Sequence, residues 1–98
     1  MATVRLSARA FADLERIFDF LAQDDPDAAL AAVGGIREAL QILDSHPLIG
    51  RRVDGRIREL VISRGRTGYV ALYRWFEAEG DPVVLAIRHQ REAGYGGE

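Results

Sequence analysis

Residues Ile57 to Arg91 alternate in a way that leaves few folds open. IRELVI, YVALYRWF and VVLAIRHQR are three runs rich in Val, Ile, Leu, Tyr and Trp, and the breaks between them, SRGRTG and EAEGDP, are of hairpin length. This pattern predicts an antiparallel three-strand meander. Period-2 spacing puts Tyr69, Ala71, Tyr73 and Trp75 on one face, with Val70, Leu72, Arg74 and Phe76 on the other. In the third run Val83, Leu85, Ile87 and His89 alternate with Val84, Ala86 and Arg88. Trp75 and Phe76 therefore point to opposite faces, so that one joins the core and the other is exposed or covered by a partner. Arginine collects at the strand ends: Arg56, Arg58, Arg64, Arg66, Arg74, Arg88 and Arg91. Such a rim reads either as a recognition surface or as a solvated charged edge.

Two helices precede the meander. Thr3 to Leu6 is a short extended segment, expected as an edge strand. Ser7 is placed to cap a helix running to about Ala22, with Phe11, Leu14, Ile17, Phe18 and Leu21 as its apolar stripe. Asp25-Pro26-Asp27 ends one helix and starts the next, because Pro needs no N–H in a first turn and an aspartate favours the positive dipole end. The second helix is expected to reach about Asp44 along Ala29, Val33, Ile36, Leu40 and Leu43. Gly34-Gly35 within it costs roughly 1 kcal/mol per glycine against alanine, and is read as the close crossing point of a helical hairpin. His46 to Gly55 reads as a connection, and residues 93–98 as a flexible glycine-rich tail. The order β-α-α-β-β-β predicts an α+β domain spanning residues 1–98, with a helical hairpin on one face of a small antiparallel sheet.

Composition narrows the chemistry. With 98 residues and no cysteine, the chain has no disulfide, thiolate metal site or cysteine nucleophile. His46 and His89 are its two histidines and lie far apart, so neither a metal nor a cofactor is expected. No apolar run is long enough for a membrane span, and no signal core opens the chain, so a cytoplasmic location is expected. The net charge of −2 argues against nucleic-acid binding by bulk charge. All thirteen basic residues are arginine, the planar donor suited to carboxylate or phosphate; coding bias yields the same composition.

No nucleophile elbow, phosphate-binding glycine loop or dinucleotide fingerprint is present. What remains is His89, Arg91, Glu92 and Tyr95 after the last strand, with Arg58 and Arg74 on its neighbours. Arginine can hold a crowded phosphate while His or Tyr moves a proton, as metal-free RNA cleavage by the 2′-hydroxyl requires. The plainer reading is a set of surface residues. Glu59 is read as a cross-strand ion-pair partner of Arg74 or Arg88.

The whole chain resembles the RelE/ParE superfamily of bacterial toxins from type II toxin–antitoxin systems, also known as plasmid stabilisation proteins. V-R-L-S-A-R-A-x-x-D-L-x-x-I-x-x-F-L from Val4 to Leu21 resembles the family's first strand and helix, and Asp25-Pro26-Asp27-Ala28-Ala29 its helix break. Leu43, Pro47 and Gly50-Arg51 resemble its L-x-x-x-P-x-x-G-R connection. Arg58-Glu59-Leu60, Tyr69 to Arg74, and Val84 to Arg91 resemble its three meander strands.

The resemblance implies a toxin held inactive by a cognate antitoxin that wraps around it, with a homodimer or a toxin–antitoxin heterotetramer as possible assemblies. It also implies one of two targets. RelE-like members cut messenger RNA on the ribosome, whereas ParE-like members inhibit DNA gyrase by binding. Cleaving members commonly carry an arginine after the first tyrosine of the middle strand; Val70 stands there, and Glu59 would repel a phosphate. The resemblance therefore leans to the ParE-like class. If the chain is a nuclease, Arg58, His89, Arg91 and Tyr95 are its candidate catalytic residues. Trp75 and Phe76 are candidates for antitoxin binding, together with the groove of the helical hairpin. A third alternative is a non-toxic member that only binds its antitoxin.

Overall fold

A computed structural model of the chain describes residues 3–62, 68–78 and 80–89. Its elements are β1 (Arg5–Leu6), α1 (Ala8–Ala22), α2 (Pro26–Leu40) running into a 3-10 turn (Gln41–Asp44), β2 (Arg51–Asp54), β3 (Ile57–Val61), β4 (Tyr69–Arg74) and β5 (Val83–His89). The strands form a single sheet in the order β1-β5-β4-β3-β2, on which the two helices pack. The expected α+β architecture and the meander β3-β4-β5 are present. Two features differ from expectation. The sheet is mixed, because β1 pairs parallel with β5; a two-residue strand carries no periodicity from which its direction could be read. A fifth strand, β2, lies inside the expected connection and is antiparallel to β3. Gly55, at φ 51°, occupies the turn between them, where the absence of a Cβ permits left-handed backbone.

Both helix starts follow from their caps. Ser7 Oγ accepts from the Ala10 N–H at 3.0 Å, and Asp25 Oδ1 accepts from Asp27 and Ala28 at 3.1 and 3.2 Å. The α2 stripe is as expected, with Ala29, Ile36, Leu40 and Leu43 buried and Val33 half-buried. The α1 stripe is rotated. Ala10, Leu14 and Ile17 are buried, while Phe11 is 49% exposed. Phe11 fits the spacing but falls on the solvent side of the helix, and Ala10 takes the place facing the core. These residues meet Tyr69, Ala71, Tyr73, Val84 and Ile87 in one core.

The edge of β5 explains how so short a β1 suffices. Beyond Leu6 the backbone of β5 has no strand neighbour on that side, yet buried donors and acceptors need partners. Ser7 supplies two, its N–H donating to the Val84 carbonyl at 2.9 Å and its hydroxyl to the Leu85 carbonyl at 3.1 Å. Asp13 supplies the next: its buried carboxylate accepts from the Ile87 N–H at 2.9 Å. Arg16 and Arg9 flank that carboxylate at 3.6 and 4.0 Å. Asp13 thus serves as a surrogate strand. A register shift opposite Leu72 and Tyr73 adds Leu85 to β5, so Val84 and Ile87, not Leu85 and Ile87, share the core face.

Tyr73 closes the other side of the core. It is fully buried, accepts from the Gly50 N–H at 2.8 Å and donates to the Pro47 carbonyl at 2.7 Å. A Cβ on Gly50 would sit 2.6 Å from Tyr73 Cε1 and 2.8 Å from the Glu59 carbonyl oxygen, so only glycine fits. Burial pushes the Tyr73 hydroxyl above its ordinary pKa of 10.0, with the Gly50 N–H and the Arg58 charge pulling less strongly the other way. The Pro47-x-x-Gly50 spacing is therefore a latch between the connection and β4.

Candidate functional site

Register assigns the side chains of the sheet to two faces, since residues directly opposite each other project to the same side. Val61, Val70 and Arg88 form one row, and Glu59, Leu72 and Ala86 the next, on the face away from the helices. Val70 is 4% exposed. Glu59 pairs with Arg51 at 3.0 Å across the β2–β3 ladder. Arg88 Nε is buried without a hydrogen-bond partner among the described residues.

Arg58 is on the opposite side, in a row with Tyr73 and Arg52. Its Nη1 donates to the Gly50 carbonyl at 2.8 Å and the Leu48 carbonyl at 3.3 Å. His89 pairs with Tyr69 and sets its ring edge-on to that phenol, with centroids 5.4 Å apart. Four residues along β4 and two strand spacings separate Arg58 from His89, roughly 16 Å. The fold does not bring these two nuclease candidates together; Arg91 and Tyr95 lie outside the described residues.

Trp75 and Phe76 do not alternate across the sheet as expected. β4 ends at Arg74, so both are past the strand and half-buried. Together they line a cleft of about 440 Å³ at the β2–β3 turn, with Leu48, Arg52, Arg56 and Arg58. Trp75 Nε1 donates to the Gly80 carbonyl at 3.1 Å, and the Arg56 and Arg74 guanidiniums lie 4.7 and 5.2 Å from the centroid of the Phe76 ring. Arg52 was not singled out from sequence, and Arg56 only as one member of the arginine rim, although Asp54-Gly55 is a strong hairpin signal that would have placed both beside Arg58.

At the far end of β3 and β4 is a second concavity, about 400 Å³ and apolar. Leu21, Ala28, Ala31, Ala32, Gly35, Ile36, Ile62 and Tyr69 line it. An added Cβ on Gly34 or Gly35 would meet nothing within 4 Å, so the glycine pair is not a helix-crossing point. Its second member instead extends a strip of small residues spaced i, i+3, i+4, i+7 along α2, which leaves a groove rather than a contact. Among the described residues no cluster of His, Asp and Glu is placed to hold a metal ion, and no helix is long and apolar enough to cross a membrane.

Known proteins share this fold. The family described as "ParE toxin of type II toxin-antitoxin system, parDE" matches residues 4–94. The chain belongs to the RelE/ParE superfamily of toxins. Toxin RelE3 of Caulobacter vibrioides is 39% identical over 93 residues, covering 94% of this chain and 98% of that one. Toxin RelE1 of the same organism is 41% identical over 73 residues, or 74% and 77% of the two chains. A solved chain of the chromosomal ParDE system from P. aeruginosa superposes with a TM-score of 0.74 at 26% identity, covering 91% of this toxin and 96% of that chain. One from the RelBE2 toxin–antitoxin complex of Mycobacterium tuberculosis gives 0.59 at 25% identity, covering 90% and 96%.

Proposed function

We propose that this toxin is ParE-like: it inhibits DNA gyrase by binding, in the cytoplasm, and a cognate antitoxin neutralises it. The observation that carries the choice is the sheet face around Val70. Where cleaving relatives would place a guanidinium against a phosphate, this toxin has a buried valine, with the Glu59 carboxylate in the next row. Arg58 is turned to the other face and held by carbonyls. Purified toxin titrated into gyrase supercoiling and DNA-cleavage reactions should inhibit the first or trap product in the second, and antitoxin should reverse either effect. No response at a large excess over gyrase would end this reading.

A ribosome-dependent messenger RNA endonuclease is the second reading. It is supported by the RelE names of the Caulobacter relatives and by Arg88, directly across from Val70. Toeprinting of translating ribosomes separates the two. Cuts in the A site that disappear with Arg91→Ala establish the nuclease, and their absence favours gyrase. Normal growth on inducing the toxin alone would favour a non-toxic antitoxin-binding member over both.

The antitoxin has two surfaces to engage. The apolar groove along α2 suits the nonpolar side of an amphipathic segment, and Trp75 and Phe76 mark the second surface, at the cleft.

A further inference from the structure

We propose that the cleft at the β2–β3 turn is a carboxylate-reading site, in which Arg52, Arg56 and Arg58 take an acidic stretch of the cognate antitoxin. The proposal rests on the antitoxin reading above and adds the chemistry of one contact. Arg52 and Arg58 are directly opposite across the β2–β3 ladder and share a face, an arrangement in which like charges repel. No described carboxylate relieves them. Among the described residues the Arg52 side chain has no hydrogen bond or ion pair, the Arg58 side chain donates only to carbonyls, and Arg56 lies over the Phe76 ring. Arg51, one residue away but on the other face, has Glu59 as partner, and Arg5 has Asp81. Glu59 and Asp81 thus serve other arginines, and Glu77 is the one acid among the described residues that line the cleft. Three guanidinium forks around a cleft of this size match the geometry of carboxylates, which they bind in pairs of parallel hydrogen bonds.

Phosphates of a nucleic acid carry similar charge, but the lining favours a protein. Leu48, which lines the cleft, is 56% exposed, and Ile49 and Val53, next in sequence to lining residues, are exposed too. Arginines mixed with aliphatic and aromatic side chains characterise protein interfaces, whereas nucleic-acid interfaces are more polar and more uniformly basic. The aromatics are also poor platforms for bases. Phe76 is approached by two guanidiniums, and Trp75 is tied to the Gly80 carbonyl.

The test is binding of the full toxin to the protein product of the adjacent antitoxin gene, by calorimetry at low and high salt. Arg52→Glu with Arg56→Glu should weaken binding at least tenfold at low salt and flatten its salt dependence. Arg37→Glu, on the side of α2 away from the groove, should change neither. Thermal melts report whether the double variant folds; if it does not, Arg52→Gln with Arg56→Gln takes its place, with a smaller loss of affinity and the same flattening expected. Wild-type affinity and salt slope in the folded double variant overturn the assignment alone. A wild-type toxin that ignores the antitoxin overturns both this assignment and the reading beneath it. A single-stranded RNA or duplex DNA oligonucleotide serves as the competing probe. If the double variant loses oligonucleotide binding and keeps antitoxin binding, nucleic acid is the occupant and the proposal is wrong.

Discussion

The two ends of the β3–β4 hairpin differ in nearly every physical property while sharing one scaffold. At one end Ile62 and Tyr69 meet the small-residue strip of α2 and leave an apolar groove. At the other, roughly 17 Å away along the strands, Arg52, Arg56 and Arg58 crowd around Trp75 and Phe76. The groove exists because side chains are missing there; the cleft gathers three arginines that no carboxylate among the described residues pairs with. A binder of the groove gains mainly from burying apolar surface, which salt barely weakens. A binder of the cleft gains from charge, which salt screens. One toxin can thereby be gripped by two mechanisms that respond to different conditions.

If the hairpin is the common support, damaging it should cripple both ends, and damaging one end should spare the other. The largest effect is expected from Gly50→Ala, whose Cβ meets Tyr73 and the backbone of Glu59. Overpacking of this kind costs about 3 kcal/mol or more, and each kcal/mol lowers the melting temperature by roughly 4–8 °C in a chain of this length. Tyr73→Phe should approach it, at about 2–4 kcal/mol, because two buried backbone groups lose their partner. A melt unchanged by either substitution would mean that the latch does not support the cleft. Asp13→Ala comes next, at roughly 2–3 kcal/mol, since the Ile87 N–H is left buried and unpaired. Denaturant titration measures it.

Gly35→Leu should act on one end only. It fills the groove yet removes a helix-interior glycine, so stability should hold or rise by up to about 1 kcal/mol while antitoxin affinity falls at least tenfold. Lost stability would show that the groove is a packing contact after all. The smallest effects are those of pH. The raised pKa of Tyr73 means the folded protein keeps a proton that the unfolded chain gives up, so stability is full below about pH 10 and declines above it. Asp81 behaves oppositely. The Thr3 N–H, then Arg5, hold its carboxyl below the ordinary value, so its contribution is present above about pH 4 and fades as acid protonates it. Melts of wild type and Tyr73→Phe across pH 9–11 should converge as pH rises.

How much of this could be read beforehand depended on whether a residue's role was local. Helix caps at Ser7 and Asp25, the α2 stripe and the meander are set by neighbours in sequence, and each was legible. β2 was missed because four exposed residues carry no alternation of burial, although its Asp-Gly turn was visible. Nothing near Asp13 in sequence marks its role, since its partner is 74 residues away. Gly35 was misjudged because a glycine in a helix marks either a close approach or a space, and only the neighbours decide which. The same holds for the cleft, where Arg52 and Arg58 become a pair only once the strands are in register.

The most direct test of two independent surfaces on one scaffold is a double-mutant cycle in antitoxin binding, combining Gly35→Leu with Arg52→Glu and Arg56→Glu. Sites this far apart should lose affinity additively, within about 0.5 kcal/mol, with salt dependence altered only in the variants that carry the charge reversals. A combined loss no greater than that of either part, or a salt response that changes with Gly35→Leu alone, would contradict the division of labour between groove and cleft.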